Sequence, residues 1–177
     1  MNSWWISIIE FLKIILPLVV LYYLLKMVMK RQYQSLVAVL NSKRQENQAS
    51  FQLQSRLQAL ERLSLYIERI EFQSLIYRLN EPGMRVGQLY YAMLIALQEE
   101  LEHNITQQLY VSDQLWQIIN SARDHQIRIL GELKSELSDD QDARKLMERI
   151  NAYTAQSQDR VMNTARQAVK EEAKMLL

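Results

Sequence analysis

The stretch EHNITQQLYVS, residues 102–112, holds the densest group of side chains that could do chemistry. Glu100 and His103, three residues apart, match half of the pattern by which helical bundles hold two metal ions, where two helices each supply a Glu-x-x-His pair. The only other histidine, His125, has Ala122 three residues before it, so the second half of the pattern is missing. A metal-binding bundle is therefore a minor alternative, and we predict no metal site and no cofactor.

Other catalytic patterns are absent from the sequence. It has no cysteine, no Gly-rich phosphate-binding loop, and no Ser-His-Asp set in a recognisable context. Long helices also lack the concave pocket that catalysis usually requires. We therefore predict that the protein is not an enzyme and has no small-molecule substrate.

Two amides in the same stretch interrupt an apolar helix face. Asn104 and Gln108, four residues apart, share that face with Leu97, Leu101 and Leu115. An amide buried opposite a matching group fixes register and oligomeric state at a cost in stability. We predict this role for Asn104 and Gln108; in the alternative, the helices separate here and both amides are hydrated.

Composition indicates that helices position these side chains. The chain has 3 Gly and 2 Pro in 177 residues, so it contains few turns and its helices must be long. Net charge is +1, and from Gln32 onward 17 basic and 19 acidic residues alternate in sign. Because no basic stripe exists, nucleic acid is not an expected partner. The sequence predicts an all-α protein.

The N-terminal segment predicts a transmembrane anchor over residues 4–31. Ile8–Met27 is about 20 largely apolar residues, which is the length needed to cross a bilayer core of about 30 Å. One end carries an aromatic pair and the other a basic cluster, which predicts an N-terminus outside and the remaining helices in the cytoplasm. These membrane-interface residues are Trp4, Trp5, Lys26, Lys30 and Arg31.

Two charged residues fall inside the predicted anchor. Glu10 and Lys13 lie three apart on one helix face, where they could form an intramembrane ion pair. A functional pair would make the protein an accessory subunit of an ion-conducting or force-coupled membrane complex. In the favoured interpretation the two charges only compensate each other.

The rest of the chain divides into a helical stalk at 32–52, an antiparallel helical hairpin or bundle at 53–137, and a C-terminal helix at 138–177. Two apolar stripes follow Leu53, so this part packs on two sides, within one chain or between chains. Pro82-Gly83 reverses the chain, and SDDQD at 138–142 precedes the last helix. Ser112-Asp113 could cap a new helix, which leaves a break near residue 112 open.

Two motifs carry a resemblance to a known family. ERLSLYIERI (61–70) and EHNITQQLYVS (102–112), with the apolar N-terminal segment, resemble a bacterial family of small, single-span, membrane-anchored helical proteins of unknown function. The resemblance spans roughly residues 5–130 and implies a location in the bacterial inner membrane. It supplies no catalytic or binding residues.

The reversal at Pro82-Gly83 predicts that the two motifs meet. We expect a polar cluster formed by Tyr66, Glu68, Arg69, His103, Asn104, Gln107, Gln108 and Tyr110. The function that follows is a non-enzymatic, membrane-anchored helical scaffold that forms a homo-oligomer, docks a protein partner, or does both. Its expected partners are the lipid bilayer, further copies of the chain, and a protein of a membrane complex.

Overall fold

The computed structural model describes residues 3–156 and 159–176, apart from the side chains at 3, 5–9, 11, 12, 14, 17, 35 and 38. This part of the chain contains no β-strand and consists of helices, so the predicted all-α class is confirmed. The helices are α1 (Ser3–Ile70), α2 (Phe72–Leu79), α3 (Val86–Asn104), α4 (Asp113–Lys134), α5 (Arg144–Gln156) and α6 (Arg160–Lys174), with a 3-10 helix at Ile105–Leu109.

The predicted transmembrane anchor is wrong. Among the residues described, no helix is both long and apolar enough to cross a membrane. Only 12 residues separate the charged Lys13 and Lys26, about 18 Å of helix against a hydrocarbon core of about 30 Å. The predicted inner-membrane location and the predicted orientation are corrected with it.

The residues expected at a membrane interface lie on α1. Trp4 is 81% exposed, and Lys26, Lys30 and Arg31 are exposed as well. The side chain of Trp5 lies outside the described residues. Met1–Phe51 and Gln52–Leu177 form two compact units.

The second unit is a helical bundle with one hydrophobic core. α4 packs against α3, α5 and α6, and α2 packs against α3 and α5. The end of α1 supplies Leu60, Leu63, Ile67 and Ile70 to this core, since positions three and four apart share one helix face. Leu65, predicted on a second stripe, is 58% exposed.

Turns separate the first helices of the bundle. Glu71 adopts an extended backbone, with φ −67° and ψ 144°, and divides α1 from α2. Gly83 has φ +84°, which glycine adopts readily because it has no Cβ, so Pro82-Gly83 forms the expected reversal. Gln88 accepts a hydrogen bond from the backbone N–H of Arg85 at 2.9 Å, which satisfies a free donor at the start of α3.

The chain breaks near residue 112, the possibility that the sequence left open. α3 ends at Asn104, the 3-10 helix follows, and Ser112 is the N-cap of α4. The Oγ atom of Ser112 accepts a hydrogen bond from the backbone N–H of Leu115 at 3.1 Å. The apolar face that Leu97, Leu101 and Leu115 were predicted to share is therefore not on one continuous helix.

The segment 138–143 pairs with the start of α3. Ala143 N–H donates to Met84 O at 3.0 Å, and Val86 N–H donates to Gln141 O at 2.8 Å. Gly87 N–H donates to Asp139 O at 3.1 Å, and a Cβ at Gly87 would lie 3.0 Å from the Asp139 side chain.

After this segment the chain forms two helices, α5 and α6, where the sequence predicted one.

Candidate functional site

An ion cluster around the buried Glu100 lies at the junction of α1, α2 and α3, and we call Glu100, Arg69 and Arg78 the Glu100 cluster. Arg69 donates from Nε to Glu100 Oε1 at 2.7 Å, and its Nη2 lies 2.6 Å from the same oxygen. Arg78 donates from Nη1 to that oxygen at 2.9 Å. Its Nη2 donates to the backbone oxygen of Arg69 at 2.7 Å. The cluster therefore connects α1, α2 and α3.

Two opposing effects act on the Glu100 carboxylate. The side chain is only 8% exposed, and this burial by itself raises its pKa. The hydrogen bonds from Arg69 and Arg78 together outweigh burial and hold the pKa of Glu100 below its usual value. The same contact raises the pKa of Arg69. Glu100 is thus a charged anchor, whereas an acid or base at neutral pH needs a pKa near 7.

The predicted polar cluster is only partly assembled. Arg69 reaches α3, but it contacts Glu100 and not residues 103–108. Tyr66 is 1% exposed within the core, and its hydroxyl has no hydrogen-bond partner among the described residues. Burial raises the pKa of Tyr66. Glu68 contacts Arg166 of α6, with Oε1 to Nε at 3.2 Å.

The four polar residues around the end of α3 are spread over different surroundings. His103 and Gln108 are exposed. Asn104 donates from Nδ2 to Glu100 O at 2.8 Å within its own helix. Gln107 is 7% exposed and donates to Thr106 Oγ1 at 3.2 Å.

Tyr110 makes its contact with Arg56 through its backbone carbonyl and not through its phenol. Its carbonyl oxygen accepts a hydrogen bond from Arg56 Nε at 3.3 Å, and its side chain is 44% exposed. Two residues on, Ser112 contacts the buried Glu172 of α6. The carboxylate accepts from Ser112 N–H at 2.8 Å and from Ser112 Oγ at 2.5 Å. This contact attaches the end of the second motif to the last helix.

The sequence did not reveal the contacts made by α6. Arg166 pairs with Glu68 and also with Glu71, and we call these three residues the Arg166 cluster. Arg56 lies 3.6 Å from Glu172 Oε1. These partners are 95 or more residues apart in the sequence, so helical spacing could not indicate them.

The two remaining candidates from the sequence are the ion pair of Glu10 and Lys13 and the possible metal motif of Glu100 and His103. Glu10 Oε1 and Lys13 Nζ lie 3.2 Å apart, and both side chains are 67% exposed. Glu100 faces two arginines, and within the described part of the chain no group of three His, Asp or Glu side chains could hold a metal ion. Nothing in these positions favours the metal-binding alternative.

These features define an all-α bundle in which buried carboxylates join neighbouring helices. The chain belongs to DUF7935, a family of unknown function, whose pattern matches residues 6–176. The expected membership of an uncharacterised family is confirmed, and the match extends through α6, beyond the range 5–130 indicated by the two motifs. No curated protein and no solved structure matches the chain.

Proposed function

We propose that the protein is a non-enzymatic helical assembly protein whose copies associate through α1. The supporting observation is an apolar band on α1, which we define as the exposed apolar side chains between residues 15 and 40. Each of them is between 36% and 70% exposed: Ile15, Leu16, Leu18, Val19, Val20, Leu21, Tyr22, Tyr23, Leu24, Leu25, Met27, Val28, Met29, Tyr33, Leu36, Val37, Val39 and Leu40. An apolar surface of this extent marks an interaction site.

Further copies of the same chain fit this band best. Residues 18–25 are apolar around the whole circumference of the helix, and a helix of that kind is stable only when it is covered on all sides. One partner helix covers a single face, so several α1 helices are needed. Association of identical helices covers residues 18–25 of every copy at once, which favours an oligomer larger than a dimer.

The charges on this part of α1 favour copies that run in opposite directions. Lys26, Lys30 and Arg31 are exposed within the band, whereas Glu10 and Lys13, which balance each other, precede it. A parallel arrangement would place the three cations of each copy side by side. In an antiparallel pair centred on Val20, Glu10 lies opposite Lys30, since both are ten residues from the centre.

The polar clusters of the bundle also support a structural role. Glu100, Glu172 and Arg166 are all engaged in ion pairs between helices. Groups held in this way stabilise an arrangement of helices and are poorly placed for proton transfer. No observation favours the ion-conducting alternative, which presupposes a membrane-crossing helix.

Sedimentation of the full-length chain with Leu21→Glu tests the proposal. Leu21 is 53% exposed within the band, so a charge there should be buried in the assembly and shift the chain towards monomer. The matched control is Leu65→Glu, at a position 58% exposed on the same helix but outside the band. It should leave the mass of the assembly unchanged. A wild-type chain that sediments as a monomer would contradict the proposal.

Disulfide cross-linking tests the orientation separately, because the chain has no cysteine of its own. Leu16→Cys and Leu24→Cys place thiols eight residues apart, about 12 Å along the helix, whereas a disulfide needs Cα atoms within about 7 Å. Antiparallel helices should cross-link only when the two variants are mixed. If each variant instead cross-links with itself, the helices run parallel and only the orientation is wrong.

A further inference from the structure

A cleft of about 260 Å³ opens inside the bundle, and no residue of the Glu100 cluster or of the apolar band lines it. Residues of α2, α4, α5 and α6 line it, together with Glu71 between α1 and α2. Its polar wall includes Gln126, Asp159, Glu71 and Arg166, and Phe72 and Tyr153 form an aromatic wall. The two rings meet edge to face with their centroids 6.2 Å apart.

Gln126, which lines this cleft, has a buried hydrogen-bond acceptor without a partner among the described residues. Its side chain is 2% exposed, and Nε2 donates to Asp159 Oδ2 at 3.4 Å. A carboxylate only accepts hydrogen bonds, so Asp159 fixes which end of the amide faces it. The Oε1 atom of Gln126 then has no partner among the described residues. A buried oxygen of this kind favours a ligand that brings a donor.

The charges around the cleft do not balance. Arg166 is shared by Glu68 and Glu71, and it donates from Nη1 to Asn163 Oδ1 at 2.8 Å. Two carboxylates line the cleft, those of Glu71 and Asp159, against the guanidinium of Arg166, which Glu68 outside the cleft also engages.

His125 lies beside Asp159. His125 Nε2 lies 3.3 Å from Asp159 Oδ1, without the alignment of a hydrogen bond. The other ring nitrogen of His125 lies 3.1 Å from Arg128 Nη2, and Arg128 itself pairs with Glu132 at 2.6 Å. Negative charge thus remains in excess at the cleft.

We propose that the cleft binds a small organic cation with N–H donors, of the ammonium or guanidinium class. One N–H donates to Gln126 Oε1 and another to Asp159, while the carbon part of the ligand lies against Phe72 and Tyr153. A cation also gains from the faces of these rings. A water molecule could donate to Gln126 but would leave the charges unbalanced. This site is independent of association through α1.

Calorimetric titration of the full-length chain with n-butylammonium tests the proposal, and tetramethylammonium serves as a cation of equal charge without N–H groups. Ionic strength is held constant with sodium chloride, because screening changes any binding that rests on charge. We expect a Kd on the order of 1 mM for n-butylammonium and at least about tenfold weaker binding of tetramethylammonium.

Gln126→Leu removes the acceptor at similar volume and should weaken n-butylammonium binding by about five- to tenfold. The matched control is Gln141→Leu, because Gln141 also has a buried Oε1 without a partner but does not line the cleft. The Gln141→Leu variant should bind n-butylammonium with the same affinity as the wild type. No heat of binding from n-butylammonium, or equal affinities for the two cations, would overturn the proposal. These two outcomes depend only on the wild-type chain, so they hold even if a variant fails to fold.

Discussion

At the scale of single residues, Glu100 is a point at which contacts from α1 and α2 converge. It is buried, it accepts from two arginines, and its backbone oxygen accepts from Asn104. An ionised carboxylate in such a place is stable only while its partners remain, because removal of one partner leaves a buried charge uncompensated. Glu100 therefore contributes to the stability of the junction between α1, α2 and α3.

We expect Glu100→Gln to lower the free energy of unfolding by about 2 kcal/mol at pH 7. The variant keeps the shape of the side chain but weakens its contacts with Arg69 and Arg78. The figure is below that for a fully buried pair, because the Arg69 side chain is 54% exposed and its charge is screened by water. Urea unfolding measures the change. Glu99→Gln, at the exposed neighbouring position, should change stability by less than about 0.5 kcal/mol.

The difference in stability between the wild type and Glu100→Gln should depend on pH. The folded state lowers the pKa of Glu100, so the unfolded chain binds the proton more readily. The stabilisation is complete above the ordinary glutamate pKa of about 4.3 and is lost as the pH falls through the folded value. The difference between wild type and Glu100→Gln should therefore shrink in acid. A difference that grows there would contradict the assignment.

The sequence indicated only part of this cluster. Arg69 was expected in a polar cluster with the second motif, and it does contact α3. Arg78 was not expected, because it reaches the backbone of Arg69 only after the chain turns at Glu71, where the sequence has neither Gly nor Pro. Tyr66 was placed among polar residues, yet it shares the core-facing side of α1 with Leu63 and Ile70.

At the scale of helices, boundaries with a capping residue or a Pro-Gly pair were predictable. Ser112 and the pair Pro82-Gly83 mark real ends. The end of α3 at Asn104 was not predictable, because residues 105–109 continue as a 3-10 helix and keep a helical pattern. α5 and α6 share one periodic sequence, so they were predicted as a single helix.

We expect Ser112→Ala to destabilise the bundle by about 1–2 kcal/mol. The change removes the acceptor for Leu115 N–H and the hydroxyl that donates to Glu172, so it weakens both the start of α4 and its contact with α6. Thermal unfolding followed by circular dichroism measures the loss. Ser121→Ala, in the exposed middle of α4, should stay within about 0.5 kcal/mol of wild type. Equal effects at the two serines would show that the cap contributes little.

At the scale of the whole molecule, composition predicted the all-α class because so little Gly and Pro leaves room for few turns. The membrane-spanning prediction was wrong, since it counted residues on both sides of Lys13 and Lys26 as one apolar span. The contacts of α6 with α1 were beyond the reach of sequence patterns, because they join helices about 100 residues apart.

A chain limited to residues 52–177 should fold by itself as a monomer. It keeps the whole hydrophobic core and lacks the apolar band. A shorter chain of residues 72–177 loses Leu60, Leu63, Tyr66, Ile67 and Ile70, each worth about 1.5–3 kcal/mol when buried, and should not unfold cooperatively. Calorimetry measures whether each of the two chains unfolds cooperatively, and sedimentation measures whether the longer one is a monomer. Cooperative unfolding of the shorter chain would show that the end of α1 is not needed for the core.

The pairing of segment 138–143 with residues 84–87 has a practical consequence for placing labels in this protein. Residues 138–142 are polar and largely exposed and look like a good insertion point, yet three backbone hydrogen bonds hold segment 138–143 against residues 84–87. An inserted tag at either one would pull apart the starts of α3 and α5 at the same time. The exposed Leu109, which ends the 3-10 helix, lies outside this pairing and offers a better site for added residues.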